Sequence, residues 1–151
     1  MDRYLALVYL TEAGQARDAW GELNRALKQF MGKGLPLDKG AAQFTLDRVH
    51  KHGRAFSAFC FGFMHEHGLG VQADEASAKR YYAKAVEVFE VESGHGLAAS
   101  TSNLGFLYAQ GKGVPQDAAR AAEFFATAAA KGFAPAQVNL GLCHLNGWGV
   151  P

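Results

Sequence analysis

Residues 111–117 read Gly-Lys-Gly-Val-Pro-Gln-Asp and lead into an alanine-rich stretch, 118–131, that stops at Gly132. A lysine between glycines ahead of a helix is one arrangement by which backbone N–H groups and a cation cradle a phosphate. Six histidines, including His50 and His52 in one cluster and His65 and His67 in another, add a candidate set of metal ligands. Each chemistry has a spacing requirement. A phosphate site must keep its ligand-contacting residue wherever the loop recurs. A helical chelate needs ligands at i and i+4, on one face, rather than at i and i+2.

Neither requirement is met. The glycine turn occurs four times, starting at Gly32, Gly68, Gly111 and Gly147, at offsets of 36, 43 and 36 residues. The residue between its glycines is Lys33, Leu69, Lys112 and Trp148 in turn, so only the glycines persist. Glycine is what a tight turn with positive φ demands, and the segment reads as a turn that folds the chain. The paired histidines point to different sides of a helix, so no metal site and no cofactor is assigned. His65 and His144 fall in the slot that Tyr108 holds in another copy, which marks them as packing residues. No G-x-S-x-G, S-x-x-K, H-E-x-x-H or phosphate-loop signature occurs, and no catalytic residue is assigned. A hydrolase-like enzyme with an unrecognised site is the alternative function.

The elements around each turn follow the same period. A helix precedes the turn, as in 61–67, 104–110 and 140–146. An aspartate (Asp38, Asp74 or Asp117) follows it and can cap a second helix by accepting from free N–H groups. That second helix stops at Gly53, Gly96 or Gly132, the left-handed position of a C-cap. Helices are expected near 2–13, 16–31, 39–52, 54–67, 75–93, 97–110, 118–131 and 134–146. The seven extra residues of the 43-residue offset fall within 76–94. Seven residues are nearly two helical turns and leave the apolar face in register.

Composition narrows the function. Half of the residues are hydrophobic, 19% are charged and the net charge is +1, with no basic run, so nucleic acid is not an expected partner. No apolar stretch approaches the roughly 20 residues that span a bilayer. The N-terminal segment lacks the basic region and cleavage site of a signal peptide. Cys60 and Cys143 have no C-x-x-C spacing, and a reducing, cytoplasmic setting is the simpler expectation.

The pattern L-G-x-x-Y-x-x-G-x-G-V-x-x-D, followed by an aromatic pair, Ala-Ala and Gly, resembles the Sel1-like repeats, relatives of the tetratricopeptide repeats. Residues 97–132 match nearly throughout, 54–96 match with a lengthened second helix, and 133–151 match as a partial C-terminal repeat. Residues 17–53 match from the turn onward, with Ala26 where the family places glycine, and 1–16 fit as an N-terminal packing helix. The resemblance implies a single repeat domain over 1–151. Its fold class is all-α, a right-handed solenoid of antiparallel helix pairs, non-catalytic and built to bind another protein.

In the resembled families one face of each first helix lines a concave surface. Carried onto this sequence, that face gives Phe59, Phe63, Phe106, Val138 and Leu142 as apolar contacts for a peptide or protein partner. Asn103, Gln110 and Asn139 would hold its backbone, since side-chain amides both donate and accept. The opposing reading buries Phe59 and Phe63 between repeats. A related groove captures peptide carboxylates with lysines, but the matching positions here are Phe59, Ser102 and Val138, so binding with weak salt dependence is expected. The last turn has no second helix after it. A longer array, or end-to-end self-association through the open C-terminal repeat, is therefore expected as well.

Overall fold

The computed structural model describes residues 54–68 and 71–151, and within them all regular structure is helical. Five helices follow in order: α1 (Arg54–His67), α2 (Glu75–Gly94), α3 (Ala98–Gln110), α4 (Ala118–Ala130) and α5 (Ala134–Asn146). The helices expected near 2–13, 16–31 and 39–52 lie outside the described residues. The expected helical bounds from residue 54 onward hold to within one residue. The extra seven residues lengthen α2, which has 20 residues against 13 in α4. Two compact units divide the chain inside α2, one running through Ala85 and the other starting at Val86.

Local chemistry sets the helix ends. Asp117 has an extended backbone, and its carboxylate accepts from the Arg120 N–H at 3.0 Å; Asp74 likewise accepts from Ala76 and Ser77 at 3.2 Å each. The Asp74 carboxyl is held below its ordinary range, chiefly by the Ser77 hydrogen bond. In these two turns the aspartate N–H closes the loop onto a carbonyl nine residues back, Asp74 to His65 and Asp117 to Tyr108, both at 2.9 Å. These bonds answer the phosphate question. The Arg120 N–H at the start of α4 is spent on its own cap, and Gly111 and Gly113 carry φ of 65° and 76°. The turn is structural.

In the second unit α4 lies against both α3 and α5. Its alanines permit that double approach. Ala121, Ala122 and Ala128 are buried with Phe125, and Tyr108, Ala109 and Cys143 close the cluster from the flanking helices. Phe125 is fully buried, worth about 1.5–3 kcal/mol on its own. Its ring lies where a Cβ on Gly105 would stand, 2.7 Å away, so that glycine is what lets α4 seat. The final turn packs back as well. A Cβ on Gly149 would clash with the Ala118 carbonyl, and Trp148 and Val150 pack on the cluster.

The first unit shows the same joint. Tyr82 stands 2.7 Å from the Cβ position of Gly62, and its hydroxyl donates to Glu66 at 2.5 Å. Met64 and Cys60 are fully buried beside it in sequence register.

Candidate functional site

The residues expected to face a partner divide between the two units. In the second unit, Asn103, Phe106 and Gln110 lie along α3, and Asn139 and Leu142 repeat the first two positions on α5 at an offset of 36. Phe106 and Leu142 are half-buried and rest on the core cluster. Both side chains therefore belong in part to the core and are partly exposed. Val138 is exposed at 44%, whereas its counterpart Ser102 is exposed at only 1%.

The amides behave differently from ordinary surface amides. Asn103 and Asn139 are buried, yet neither Nδ2 of Asn103 nor Oδ1 of Asn139 has a hydrogen-bond partner. Nε2 of Gln110 and Oγ of Ser102 are likewise buried and unpaired. A buried polar atom without a partner costs about 1–3 kcal/mol, so four of them call for a reason. By contrast Asn146, the position matching Gln110, turns its amide onto the Leu142 carbonyl at 2.8 Å. Ser102 was not singled out from the sequence. A small hydroxyl at a helical position signals nothing until its burial is known.

Phe59 and Phe63 belong to the first unit and are half-buried. Phe59 packs against Tyr82, with ring centroids 5.6 Å apart, and Phe63 against His67 at 4.3 Å. Each ring thus has a contact on its own unit. His65 packs as its position implies, stacked on Tyr81 at 5.4 Å and 13°. His144 does not: it is exposed, and among the described residues no helix covers it as α4 covers Tyr108. That part of the expectation is corrected. The HKH cluster at 50–52 lies outside the described residues. Burial raises the Cys60 thiol well above its usual range and raises Cys143 too, so both favour the protonated, unreactive form. Among the described residues no three His, Cys, Asp or Glu converge as a metal site would need.

The glycine joints, aspartate caps and repeated ring contacts define a unit that known proteins share. The Sel1 repeat model matches residues 61–87, 98–133 and 134–151, more than half of the chain. The chain belongs to the Sel1-repeat family. Its fold class is accordingly all-α, that of helical-repeat solenoids. Sel1 repeats generally serve as protein-interaction scaffolds and are typically non-catalytic. Among solved structures, the chain is similar to a Sel1 repeat protein from Oxalobacter formigenes at 27% identity and a TM-score of 0.52, over 95% of this chain and 54% of that one. It is also similar to a protective antigen with an SLR fold from uropathogenic Escherichia coli, at 27% identity and a TM-score of 0.49, over 99% of this chain and 30% of that one. The Sel1-repeat chain therefore spans about half or less of the length of these two proteins. No curated protein sequence matches it. None of the described helices is long and apolar enough to cross a membrane.

Proposed function

We propose that the second unit holds an extended peptide segment of another protein along the face that carries Asn103, Phe106, Gln110, Asn139 and Leu142. One observation supports this above the others: the buried amide atoms of Asn103, Asn139 and Gln110 lack partners in the chain, and a peptide backbone pairs with them once the half-buried Phe106 and Leu142 side chains turn aside. A peptide backbone presents alternating N–H and C=O groups, and primary amides complement both whatever the peptide's side chains. The half-exposed Phe106 and Leu142 supply apolar contact beside them. Charged side chains are absent from this set, so affinity changes little with salt and a free C-terminus is not required. Whether Phe59 and Phe63 of the first unit take part is a separate question, tested by Phe63→Ser with melting as the control.

The test exploits the cost of the unpaired amides. Asn103→Leu and Asn139→Leu keep the branching of the side chain and remove the buried polar atoms. Peptides selected against the wild-type chain should bind each variant at least tenfold more weakly, while the variants melt no lower than wild type. Equal binding by both variants refutes the face.

A further inference from the structure

The Sel1 repeat model matches residues 61–87 and 98–133 and passes over 88–97 between them. The helical part of that stretch, 88–94, accounts for the seven residues that lengthen α2, and the second unit anchors it firmly. Phe89 is buried, and Ser100 donates to the Glu92 carboxylate at 2.5 Å. The Ser93 and Thr101 hydroxyls pair at 2.7 Å, and the Lys131 ammonium donates to the Gly96 carbonyl at 2.9 Å. The outer face is less easily explained. Counted back from the stop glycines Gly96 and Gly132, Glu87, Glu90, Val91 and Gly94 of α2 match Glu123, Ala126, Thr127 and Ala130 of α4, and all eight are exposed. Positions spaced i, i+3, i+4 and i+7 share one side of a helix. On α4 that side is ordinary, with alanines that favour helix and a Thr127 hydroxyl that donates to the Glu123 carbonyl at 2.9 Å. On α2 each choice works against the helix or its solubility. Val91 is 59% exposed, and Leu97, folded back toward the last turn by its N–H bond to the Glu92 carbonyl, is 52% exposed. Glu87 and Glu90 are like charges three residues apart toward the negative end of the helix, and no lysine or arginine occurs from 85 through 97. Gly94 is helical without a positive φ, and nothing lies within 4 Å of its Cβ position. Neither its own backbone nor a neighbour in the chain requires glycine there.

We infer that this face of the lengthened α2 docks a segment of another protein in which a lysine or arginine stands beside an apolar side chain. The cation pairs with Glu90 and offsets its repulsion with Glu87. The apolar side chain covers Val91 and Leu97, and the absent side chain at Gly94 lets the partner's backbone come close. One occupant thus accounts for three features that the packing of the chain itself leaves without a reason. Charge decides its chemistry, since a face with glutamates and no cation of its own attracts a basic segment and repels an acidic one. The inference goes beyond the peptide-binding face, with which it shares no residue.

The probe comes from a phage-displayed library of random peptides, panned on the full chain carrying Asn103→Leu and Asn139→Leu. Those substitutions close the amide face, so failure of the peptide-binding reading and failure of this one are distinguishable. The recovered peptides should be rich in lysine or arginine next to leucine, valine or phenylalanine. The most enriched peptide, fluorescently labelled and followed by anisotropy, should bind the wild-type chain saturably. Its binding should weaken at least tenfold with Glu90→Lys and with Val91→Ser, and several-fold at high salt. Gly94→Leu gives the reading that a merely structural glycine would not. Binding should fall at least tenfold while the melting temperature holds or rises, because leucine favours helix more than glycine and meets nothing there. The inference is overturned if panning recovers no basic, apolar peptide, or if Glu90→Lys and Gly94→Leu bind the recovered peptides as tightly as wild type does. It is also overturned if light scattering finds copies of the chain paired and separated by Glu90→Lys, since the occupant is then a second copy.

Discussion

Helices α3 and α5 carry the same Asn-Leu-Gly triplet, at 103–105 and 139–141, and each ends at a left-handed glycine, Gly111 with φ 65° and Gly147 with φ 66°. Neither starts with a side-chain cap, since Leu97 and Phe133 stand at the N-cap positions. Both pack on α4, yet their surroundings otherwise differ. Nine residues of α3 are buried, including Gly105, whereas α5 buries four and exposes Gly141. Helix formation is therefore set by residues within the segment, and burial by what is stacked on it. In a repeat protein these are separable terms, an intrinsic one and an interface one. The pair α3 and α5 isolates the second.

The largest expected effect breaks the interface that α5 lacks. Phe125→Ala removes a fully buried ring that touches Gly105 and the alanine cluster, and should cost about 3–5 kcal/mol. Leu145→Ala removes a side chain of similar hydrophobicity that is 80% exposed, and should change stability by less than about 0.5 kcal/mol. Urea denaturation of the two variants measures the contrast. Similar losses would mean that α5 is covered in solution by the chain itself.

A single substitution placed at both glycines sharpens the comparison. Gly105→Leu must push into the Phe125 ring and against the Ala121 carbonyl, 3.1 Å from the Cβ position, and overpacking of this kind costs about 1–3 kcal/mol. Gly141→Leu meets nothing, and exchanging glycine for leucine inside a helix gains up to about 0.8 kcal/mol. Thermal melting should move in opposite directions. A fall for both would put an unseen neighbour over Gly141.

What the sequence made legible follows the same division. Glycines with positive φ and aspartates that cap their own helices act over a few residues, so the ends of α1 through α5 could be read from the chain. The glycine turn could be told from a phosphate loop because Lys112 has no counterpart in Leu69 or Trp148. Burial could not be read in this way. His65, Tyr108 and His144 share a slot, yet His144 alone is exposed, because a neighbouring helix decides its environment. Asn103 and Asn139 were placed on the correct helices, but only their surroundings show that amide atoms there are buried and unpaired. Phe59 and Phe63 looked alike in sequence. Phe59 packs across to Tyr82 on α2, and Phe63 packs against His67 one turn along α1.

The caps offer a smaller test. Asp117→Ala leaves the Arg120 N–H without its acceptor and should cost about 1 kcal/mol, within the usual range for an N-cap. No equivalent loss is available at the start of α5, where Phe133 makes no side-chain cap bond and Pro135, early in the helix, has no N–H to satisfy. Alanine at Phe133 therefore reports packing alone, and comparing the two by urea denaturation separates capping from burial.

The smallest effect distinguishes the two filled joints from each other. Tyr82 and Phe125 cover their glycines alike, but only Tyr82 has a hydroxyl, which is buried and donates to Glu66. Burial first, and the Glu66 carboxylate second, raise its pKa far above the ordinary tyrosine range. The sign follows from linkage. A group whose folded pKa is raised contributes stability that is complete below its unfolded pKa, near 10, and is lost as pH climbs past that value. At pH 10.5 the unfolded chain gains roughly 0.8 kcal/mol by ionising Tyr82 while the folded chain does not. Wild type should therefore lose about that much more stability between pH 8 and pH 10.5 than Tyr82→Phe does, measured by urea denaturation at each pH. Phe125→Tyr should not reproduce the effect through a carboxylate, because Ala109 holds the place of Glu66 in that repeat. Equal alkaline loss in wild type and Tyr82→Phe would show that the Tyr82 hydroxyl reaches solvent, and that the two joints are chemically equivalent after all.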